Sequence, residues 1–436
     1  SLFAPYPKTI EQGGHNKLQA LVREEEAYIA KCSGPVSFPW RIVSVSAEDK
    51  DMLDNDLVWL LGTPADPSKD WSWVKPGKVA WEWWNDWNIT GVDFKAGVNN
   101  DTYKYYIDFA SKNGIEYVIL DEGWAVNLQA DLFQVVPEIN LEELVSYAKE
   151  RNVGIVLWAG YWAFEKDMEK ACEHYSKMGI KGWKVDFMDR DDQLMVDFYH
   201  RCAKTAAKYN MLLNLHGVYV PKGLNRTYPN VINFESVFGL EQLKWTDQKK
   251  ADMAHNDLWI PFMRQTAGPH DYTPGAMLNR TRDMFRSIDH RPMSQGTRAH
   301  QGAAYIVFDM PLAVLCDSPT NYIRESETTY FINSIPAVFD STFVHMSELG
   351  NYLVMGRKKG DNYYLGAYND WDARTIDVNL SFLPEGEYVA KIYKDGLNVD
   401  RVAEDYKLME QMVTSADVLN IDMGAGGGFA IIFSKK

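Results

Sequence analysis

Between residues 79 and 335, short apolar runs alternate with longer amphipathic segments. This alternation is typical of parallel strands that are each followed by a helix, and eight such runs predict an α/β fold, a (β/α)8 TIM barrel. A doubly wound open sheet is the alternative, but it is normally shorter, and a dinucleotide site needs a Gly-rich motif after the first strand. The predicted strands are 79–84, 115–121, 154–160, 182–187, 211–217, 231–238, 259–266 and 312–318, and the predicted helices are 102–113, 140–151, 165–178 and 191–209.

The segment before this repeat, residues 1–78, has a mixed pattern. Apolar residues at helical spacing predict a helix over 15–32. Apolar runs at 40–47 and 56–62 predict strands. The two prolines in "TPADPSKDW" then interrupt the pattern, so we place a domain boundary near Gly77.

The segment after the repeat, residues 336–436, is predicted to be all β. "YLVMGRKKGDNYYLGAYN" indicates two strands joined by a Gly-Asp turn, and further alternating runs follow it. We therefore predict a C-terminal antiparallel β-sandwich. The late "GAGGGF" does not follow the start of a strand–helix unit, so we interpret it as a turn.

Composition excludes several classes of function. The net charge is −15, from 45 basic and 60 acidic side chains, whereas a nucleic-acid groove needs clustered cations. No apolar run reaches membrane length, and the N-terminus has no signal-peptide pattern. The four cysteines lie far apart, without zinc-site spacing. The 15 tryptophans are compatible with sugar binding or with core packing alone.

Polar residues end the predicted strands, where a barrel of this type carries its active site. They are carboxylates, amides and aromatics, without the nucleophilic serine or cysteine of acyl transfer or an HExxH motif. Two carboxyl groups facing each other across the barrel mouth are typical of glycoside hydrolysis. The residues, in strand order, are Trp83 to Asp86, Asp121 and Glu122, Trp158 and Gly160, Lys184 and Asp186, His216 and Gly217, Asn233 and Glu235 with Glu241 after them, Arg264 and Gln265, and Asp317.

Each candidate has a structural alternative. Lys184 and Asp186 lie on one face of a strand, so they could be an ion pair. A Schiff-base role for Lys184 is disfavoured, because an adjacent aspartate keeps the amine charged. Glu235 lies in an apolar run and needs a partner, either a salt bridge or, together with Glu241, a hard cation. His216 fits a hydrogen-bonded strand end as well as a base. Asp121 and Glu122 could cap the following helix, and the acidic "DRDD" at 189–192 fits a helix N-terminus.

Five motifs together resemble glycoside hydrolase family 97, and the resemblance covers about 14–436. It implies an N-terminal β-supersandwich, of which residues 1–78 would be the last part, a catalytic (β/α)8 barrel at 79–335 and a C-terminal β-sandwich at 336–436. It also implies exo-acting hydrolysis of α-glycosides and a bound Ca²⁺ ion. The motifs are "WEWWNDWN" (81–88), "YVILDEGW" (117–124), "GWKVDFMDRDDQ" (182–193), "NLHG" (214–217) and "NFESVFGLE" (233–241).

The resemblance also implies roles for individual residues. Asp186 matches the nucleophile of the retaining branch, and Glu241 matches the general acid/base. In the inverting branch, glutamates after strands 3 and 5 activate water, and this sequence has Gly160 and Gly217 there. The calcium ligands implied are Glu235 and Glu241, and the sugar pocket implied includes Trp83, Asp121, Lys184 and His216.

We therefore predict a retaining exo-α-galactosidase that acts on an oligosaccharide or glycoside. The alternatives are an inverting α-glucosidase or a retaining β-L-arabinopyranosidase of the same family, and a non-catalytic carbohydrate-binding barrel. We expect the rest of the N-terminal domain to be a partner of this chain, because it normally contributes to the pocket and to the calcium site. The family resemblance predicts a periplasmic or secreted enzyme, whereas the sugar, the linkage and the oligomeric state are not predicted.

Overall fold

The computed structural model describes residues 4–436, which begin with a β-hairpin. Strand β1 (Pro7–Gly13) pairs in antiparallel orientation with strand β2 (Gln19–Glu25). The helix predicted over 15–32 is therefore wrong. The turn contains residues with positive φ, such as Asn16 at 44°, which an α-helix excludes. Pairing with β1 outweighs the helical spacing of the apolar residues.

The stretch after the hairpin has little regular structure. Among residues 4–436 the run predicted as a strand at 40–47 has no pairing partner, and the run at 56–62 contains the short helix α1 (Leu57–Leu61). Both strand predictions are wrong, because an apolar run forms a strand only where a neighbour satisfies its backbone groups. The side chains of Phe38 and Trp40 are 91% and 75% exposed.

The strand–helix repeat predicted for 79–335 is present. Seven of the eight predicted strands and all four predicted helices overlap an element of the same type. Within the described residues the elements are β3 (Gly77–Ala80), α2 (Asn100–Lys112), β4 (Tyr117–Leu120), α3 (Leu141–Glu150), β5 (Gly154–Gly160), α4 (Tyr161–Met178), β6 (Gly182–Asp186), α5 (Gln193–Lys208), β7 (Leu212–Leu215), α6 (Leu224–Thr227), β8 (Val231–Phe234), α7 (Met253–Met263), β9 (Asn279–Arg280), β10 (Ser294–Gln295), α8 (Arg298–Val307), β11 (Leu312–Leu315), α9 (Pro319–Arg324) and α10 (Ser326–Asn333).

Seven parallel strands form a nearly closed barrel, in the order β11, β3, β4, β5, β6, β7, β8. The predicted strand at 259–266 is wrong, since most of it lies in helix α7. That helix is apolar on nearly all sides, and a short apolar run cannot be assigned to helix or strand by periodicity alone. The (β/α)8-type fold is confirmed, except that one of the eight strand positions of the barrel is not a regular strand.

An irregular segment, residues 270–274, occupies the place between β8 and β11. The backbone N–H of Asp271 donates to the carbonyl of Phe234 at the end of β8 (2.9 Å). On the other side, the N–H of Cys316 donates to the carbonyl of Pro274 (3.1 Å). This segment closes the barrel and brings Asp271 to its carboxyl-terminal end.

The barrel strands are buried on both faces, as expected of parallel strands that are covered by helices. Several barrel helices begin with a polar side chain that accepts from a backbone N–H of the first turn. One of these is Asp192, so the acidic run at 189–192 does end at a helix N-terminus, that of α5. The others are Asn99, Asn140, Thr297 and Ser318.

The C-terminal part is an antiparallel β-sandwich, as predicted. A six-stranded sheet in the order β12, β13, β14, β19, β16, β17 packs against a two-stranded sheet of β15 and β18, with an apolar core between them. The predicted turn joins β13 to β14, and "GAGGGF" forms the turn before β19. The strands are β12 (Ser341–Glu348), β13 (Tyr352–Lys359), β14 (Asn362–Asn369), β15 (Arg374–Asn379), β16 (Tyr388–Asp395), β17 (Tyr406–Val413), β18 (Val418–Met423) and β19 (Gly428–Lys435).

Helix α8 joins the barrel to this sandwich, because it packs on β13, β14 and β19. All four cysteines carry free thiols, and only Cys32 is exposed. Across residues 4–436, no helix is both long and apolar enough to cross a membrane.

Candidate active site

A cavity of about 440 Å³ opens at the carboxyl ends of the barrel strands. A larger groove of about 890 Å³ lies on the outer face of α4 and α5, but ordinary surface charges line most of it. The cavity at the strand ends instead collects the predicted site residues. Its wall includes Trp83, Asp121, Lys184, Asp186, Glu235 and Glu241, and the buried His216 lies behind Glu235.

Asp186 ends strand β6 and faces the cavity. Its Oδ2 accepts a hydrogen bond from Trp158 Nε1 (3.2 Å), and its Oδ1 accepts from the backbone N–H of Phe187 (2.7 Å). Burial raises the pKa of Asp186 above its ordinary value, while the positive charges of His216 and Lys184 act to lower it. The carboxylate is thus held in one orientation, with cations near it.

Lys184 pairs with Asp121 and not with Asp186. Lys184 Nζ donates to Asp121 Oδ2 (2.7 Å) and lies 4.3 Å from the centre of the Trp81 ring. Trp81 Nε1 donates to the same carboxylate oxygen (2.6 Å). Burial acts to lower the pKa of Lys184, but the charges of Asp121, Glu241 and Asp186 outweigh it and raise that pKa. Lys184 is therefore a fixed cation on the cavity floor, and Asp121 does not serve as a helix cap.

Behind this pair lies Glu82, a fully buried carboxyl group. Its Oε1 accepts from the backbone N–H of Asp121 and from the Tyr103 hydroxyl (both 2.8 Å). Its Oε2 has no partner among the described residues. Burial, followed by the charge of Asp121, raises the pKa of Glu82 to about 8. Glu82 was not predicted to belong to the site, although a charged residue in the apolar run 79–84 is a signal of an interior role.

Glu241 follows β8 on a short 3-10 helix, Leu240–Lys244, and is 9% exposed. Ligand atoms of Glu241, Glu235 and His216 all lie within 4.8 Å of one another. Glu235 Oε2 also accepts from the backbone N–H of Gly217 (2.7 Å). Burial, with the neighbouring charge of Glu241, raises the pKa of Glu235 to about 8. Two carboxyl groups thus converge beside one imidazole.

Asp271 orients His216. Its Oδ2 lies 2.8 Å from His216 Nε2 and accepts from Asn214 Nδ2 (2.6 Å). Burial and Lys184 act to lower the pKa of His216, but Glu235 and the bond to Asp271 raise it to about 9. His216 Nδ1 then faces Glu235 at 3.7 Å. Asp271 was not predicted to belong to the site, because its segment has no strand pattern.

Gly160 and Gly217 have no room for a side chain in the present backbone. A Cβ atom added to Gly160 would lie 2.6 Å from Cβ of Leu18, which the N-terminal hairpin packs against β5. A Cβ atom on Gly217 would lie 2.6 Å from Asp189 Oδ1, and the φ of Gly217 is 56°, a left-handed conformation that favours glycine. A glutamate at either position would displace its neighbours.

The hairpin turn closes one side of the cavity. His15 Nε2 lies 2.9 Å from Glu122 Oε2, and Asn16 Nδ2 donates to Glu122 Oε1 (2.5 Å). Gln19 Nε2 donates to Asp189 Oδ2 (2.5 Å). His15 and Gln19 both line the cavity. Neither residue was predicted to belong to the site, because the spacing of apolar residues predicted a helix there.

Trp83 and Trp245 form another part of the cavity wall. The rings of Trp83 and Trp81 stack with centroids 5.7 Å apart, and Trp245 meets Trp83 edge-on at 5.9 Å. Lys244 Nζ donates to the carbonyls of Trp83 and Trp84 (both 3.1 Å), which fixes this wall to the helix that carries Glu241. Trp245 has no strand-end position in the sequence and was missed.

Other residues at predicted strand ends have structural roles. Arg264 donates to the carbonyls of Gly268 and Pro269 (both 2.9 Å). Asp317 accepts from the backbone N–H groups of Met277 and Ser318 (both 2.7 Å). These contacts fix loops and helix starts around the barrel.

Comparison with known proteins agrees with this architecture. The profile described as "Glycoside hydrolase 97" matches residues 83–237. The profile described as "Glycosyl-hydrolase 97 C-terminal, oligomerisation" matches residues 338–434. Together the two ranges cover more than half of the chain.

Three similar proteins extend this match. A retaining alpha-galactosidase of Bacteroides thetaiotaomicron is 57% identical over 431 residues, which are 99% of this chain and 65% of that protein. A glycoside hydrolase family 97 enzyme from Pseudoalteromonas sp. strain K8, solved in complex with acarbose, has a TM-score of 0.79 at 28% identity, over 90% of this chain and 65% of that one. A solved beta-arabinopyranosidase has a TM-score of 0.74 at 24% identity, and the match covers 88% of this chain and 59% of that one. At this identity it supports the fold alone.

The chain spans about 65% of the length of the Bacteroides relative that it matches. The match nevertheless runs along 99% of this chain. Both family profiles and the solved structure of a family member cover the barrel or the C-terminal sandwich. The chain belongs to glycoside hydrolase family 97.

Proposed function

We propose that this chain carries the catalytic centre of a retaining, exo-acting α-galactosidase. The observation that carries the proposal is the convergence of Asp186 and Glu241 in one cavity, with Gly160 and Gly217 at the positions implied for water-activating glutamates. The 57% identity to a retaining alpha-galactosidase supports the sugar assignment. Both catalytic roles rest on the geometry and on the family resemblance.

The reaction is a double displacement. In the first step, Asp186 attacks the anomeric carbon while Glu241 gives its proton to the glycosidic oxygen; the bond between that oxygen and the anomeric carbon breaks, the leaving group departs as an alcohol, and a covalent glycosyl-enzyme forms. In the second step, Glu241 takes a proton from water, the water oxygen bonds to the anomeric carbon, and the bond to Asp186 breaks. Retaining enzymes need the two carboxyl groups about 5–5.5 Å apart, without a water between them.

The surroundings of Asp186 suit a nucleophile. It must be ionised to attack, and the neighbouring charges of Lys184 and His216 favour the ionised form against the effect of burial. The hydrogen bonds from Trp158 and Phe187 fix the carboxylate in place before the substrate arrives. Such pre-orientation lowers the barrier, because little ordering remains to be done at the moment of reaction.

The cavity floor suits one terminal sugar. Lys184 and Asp121 line the cavity but are only 3% and 2% exposed, so they lie at its inner end, and we propose that the terminal sugar of a chain binds there, as exo action requires. Charged groups make strong hydrogen bonds to hydroxyls, and the half-buried ring of Trp83 offers an aromatic face for the C–H groups of a pyranose.

The inverting alternative conflicts with the two glycines. An inverting enzyme needs a base that activates water on the far side of the sugar. The resemblance places such glutamates where this chain has Gly160 and Gly217, and Leu18 and Asp189 occupy the space beside them. We therefore assign the retaining branch.

The second candidate function is that of a retaining β-L-arabinopyranosidase, which differs in the sugar it accepts. Its substrate has a similar ring without the exocyclic carbon, and the solved beta-arabinopyranosidase supports only the fold. The relative with 57% identity favours galactose. A panel of aryl glycosides tests this directly, and we expect the α-galactoside to have the highest kcat/KM.

We propose a calcium site at Glu235 and Glu241. The charge of Glu241 raises the pKa of Glu235, and a divalent cation between the two carboxylates would relieve their repulsion. Carboxylate oxygens are the donors that Ca²⁺ prefers, whereas an imidazole is not, so we do not include His216 among the calcium ligands. His216 is buried behind Glu235 and does not line the cavity, so its place in the sugar pocket stays a prediction. A bound Ca²⁺ ion would stabilise the ionised form of both glutamates and developing negative charge beside them.

The partner and the location of the enzyme are also proposals. Phe38, Trp40 and the neighbouring Val43 and Val45 are between 75% and 91% exposed, and a patch of this kind marks an interaction surface. We propose that further parts of the N-terminal β-sandwich cover it. We propose a periplasmic or secreted enzyme, which fractionation of cells followed by an activity assay would test.

The stereochemistry of the product tests the mechanism. We expect proton NMR during hydrolysis of an aryl α-galactoside to show α-galactose first, with the β-anomer appearing only as the sugar mutarotates. Initial release of β-galactose would contradict the double displacement.

A further inference from the structure

Trp245 is an exposed tryptophan on a firmly anchored segment. Its side chain is 52% exposed, whereas the preceding Leu240 and Leu243 are fully buried and Lys244 is 4% exposed. A tryptophan that remains exposed costs free energy that burial would recover, about 25 cal/mol for each Å² of apolar surface. Its backbone is held on the cavity rim by these neighbours, so the ring cannot easily turn inward.

The ring lies on the side of the cavity that carries the general acid/base. Glu241 precedes Trp245 by four residues, and both line the cavity. The acid must reach the oxygen of the leaving group, so the leaving group lies on the same side of the bond as Glu241. The group that follows the cleaved bond therefore meets the surface formed by Trp245.

Three tryptophans form a row from the floor of the cavity to its rim. Trp81 is buried beneath the floor, bonded to Asp121, and does not itself line the cavity, whereas Trp83 is half-buried in the wall and Trp245 is exposed at the rim. Adjacent rings in this row are 5.7 and 5.9 Å apart. This is the direction in which a saccharide would extend from a terminal sugar held by Asp121.

We propose that Trp245 is the aromatic platform of the subsite for the leaving group, and that it binds the apolar face of a neutral pyranose. The proposal rests on the proposed function and names the part of the substrate beyond the galactosyl residue. Gln242, which lines the same rim, is placed to meet the hydroxyls of that pyranose. Trp245 then determines preference for saccharides over substrates without a second sugar.

The test compares two substrates of the full chain. One is a disaccharide with galactose α-linked to a hexose, and the other is α-galactosyl fluoride, whose leaving group has no sugar to bind. We expect Trp245→Ala to lower the ratio of kcat/KM for the disaccharide to kcat/KM for the fluoride about tenfold. The matched control is Trp259→Ala, since Trp259 is 40% exposed on helix α7, and it leaves the ratio unchanged.

A second variant guards against loss of packing. Trp245 also contacts Trp83, so Trp245→Leu keeps apolar volume there but removes the flat ring, and the same fall in the ratio is expected. An unchanged ratio in both variants would overturn the subsite. Failure of the unaltered chain to hydrolyse α-galactosyl fluoride would instead overturn the proposed function, and the subsite with it.

Discussion

The two sides of the cavity balance their negative charge differently. On the floor, Lys184 lies between the carboxylates of Asp121 and Asp186 and has a direct ion pair with the first of them. On the acid side, Glu235 and Glu241 converge beside His216, which is already bonded to Asp271, and neither glutamate has a direct ion pair with a lysine or arginine among the described residues. The chain supplies the counter-charge for the nucleophile side, whereas the acid side has a candidate site for an external cation.

The nucleophile side gives the largest expected effect. Asp186→Asn keeps the shape of the side chain but removes the attacking charge, so we expect kcat on an aryl α-galactoside to fall by about 10⁴-fold or more. Azide, an external nucleophile, should restore turnover and give β-galactosyl azide. If the chain were a carbohydrate-binding barrel without catalysis, it would bind the sugar, and Asp186→Asn would not change turnover.

On the acid side, the loss of activity should depend on the leaving group of the substrate. Glu241→Gln removes the proton donor, so we expect a loss of about 10²–10⁴-fold in kcat/KM for substrates with a poor leaving group. Activated aryl galactosides need little protonation and should lose much less in the first step. Rates for a series of aryl galactosides with different leaving-group pKa values measure this, and an equal loss across the series would contradict the role of Glu241.

Removal of the buried Lys184 leaves the negative charge on the cavity floor without its ion-pair partner. Lys184→Met leaves Asp121 buried without its partner, so we expect a loss of about 3–5 kcal/mol in the free energy of unfolding. The double variant with Asp121→Asn should recover part of that loss, because no unpaired charge then remains. Urea unfolding of the single and double variants measures the coupling, and simple additivity would contradict an essential ion pair.

The dependence of activity on Ca²⁺ should arise from the site at Glu235 and Glu241. A chelator should lower activity and Ca²⁺ should restore it, and Glu235→Gln should raise the Ca²⁺ concentration for half-maximal activity about tenfold or more. The matched control is Glu385→Gln, since Glu385 is an exposed glutamate on the C-terminal sandwich. Calcium titrations followed by activity test this, and the same Ca²⁺ requirement in Glu235→Gln would contradict the site.

Glu82 gives the smallest effect, which depends on pH. Its pKa in the fold is about 8, above its ordinary 4.5, so the stability it contributes is complete below about pH 4.5 and is lost as the pH rises through about 8. Glu82→Gln imitates the protonated form and removes this loss. We expect the Tm of the unaltered chain to fall by a few degrees relative to the variant between about pH 5 and pH 9. A constant difference would contradict a buried neutral acid.

The arrangement of the nucleophile side could be predicted from the sequence better than that of the acid side or of the hairpin. Strand β6 alternates strictly, so the facing of Lys184 and Asp186 follows from strand geometry. The partner of Lys184 did not follow, because Asp121 is on a different strand. Which carboxylate a lysine chooses depends on how the strands stand side by side in the barrel.

The missed residues share a physical cause. Asp271 lies on an irregular segment, Trp245 follows a 3-10 helix, and His15 lies in a hairpin turn. Their positions depend on contacts with distant parts of the chain, which are Phe234 for Asp271, the Trp83 ring for Trp245 and Glu122 for His15, and local periodicity does not record such contacts. The helix α7 was mistaken for a strand for a related reason, since its apolar residues are spread around the helix and leave no helical period to detect.

Trapping the covalent intermediate tests the central claim most directly. A fluorinated galactosyl fluoride that reacts quickly in the first step and slowly in the second should accumulate as a glycosyl-enzyme, and mass spectrometry of its peptides should locate the sugar. We predict one galactosyl adduct, on Asp186. An adduct on any other residue, or turnover of the reagent with inversion and without an adduct, would contradict the account.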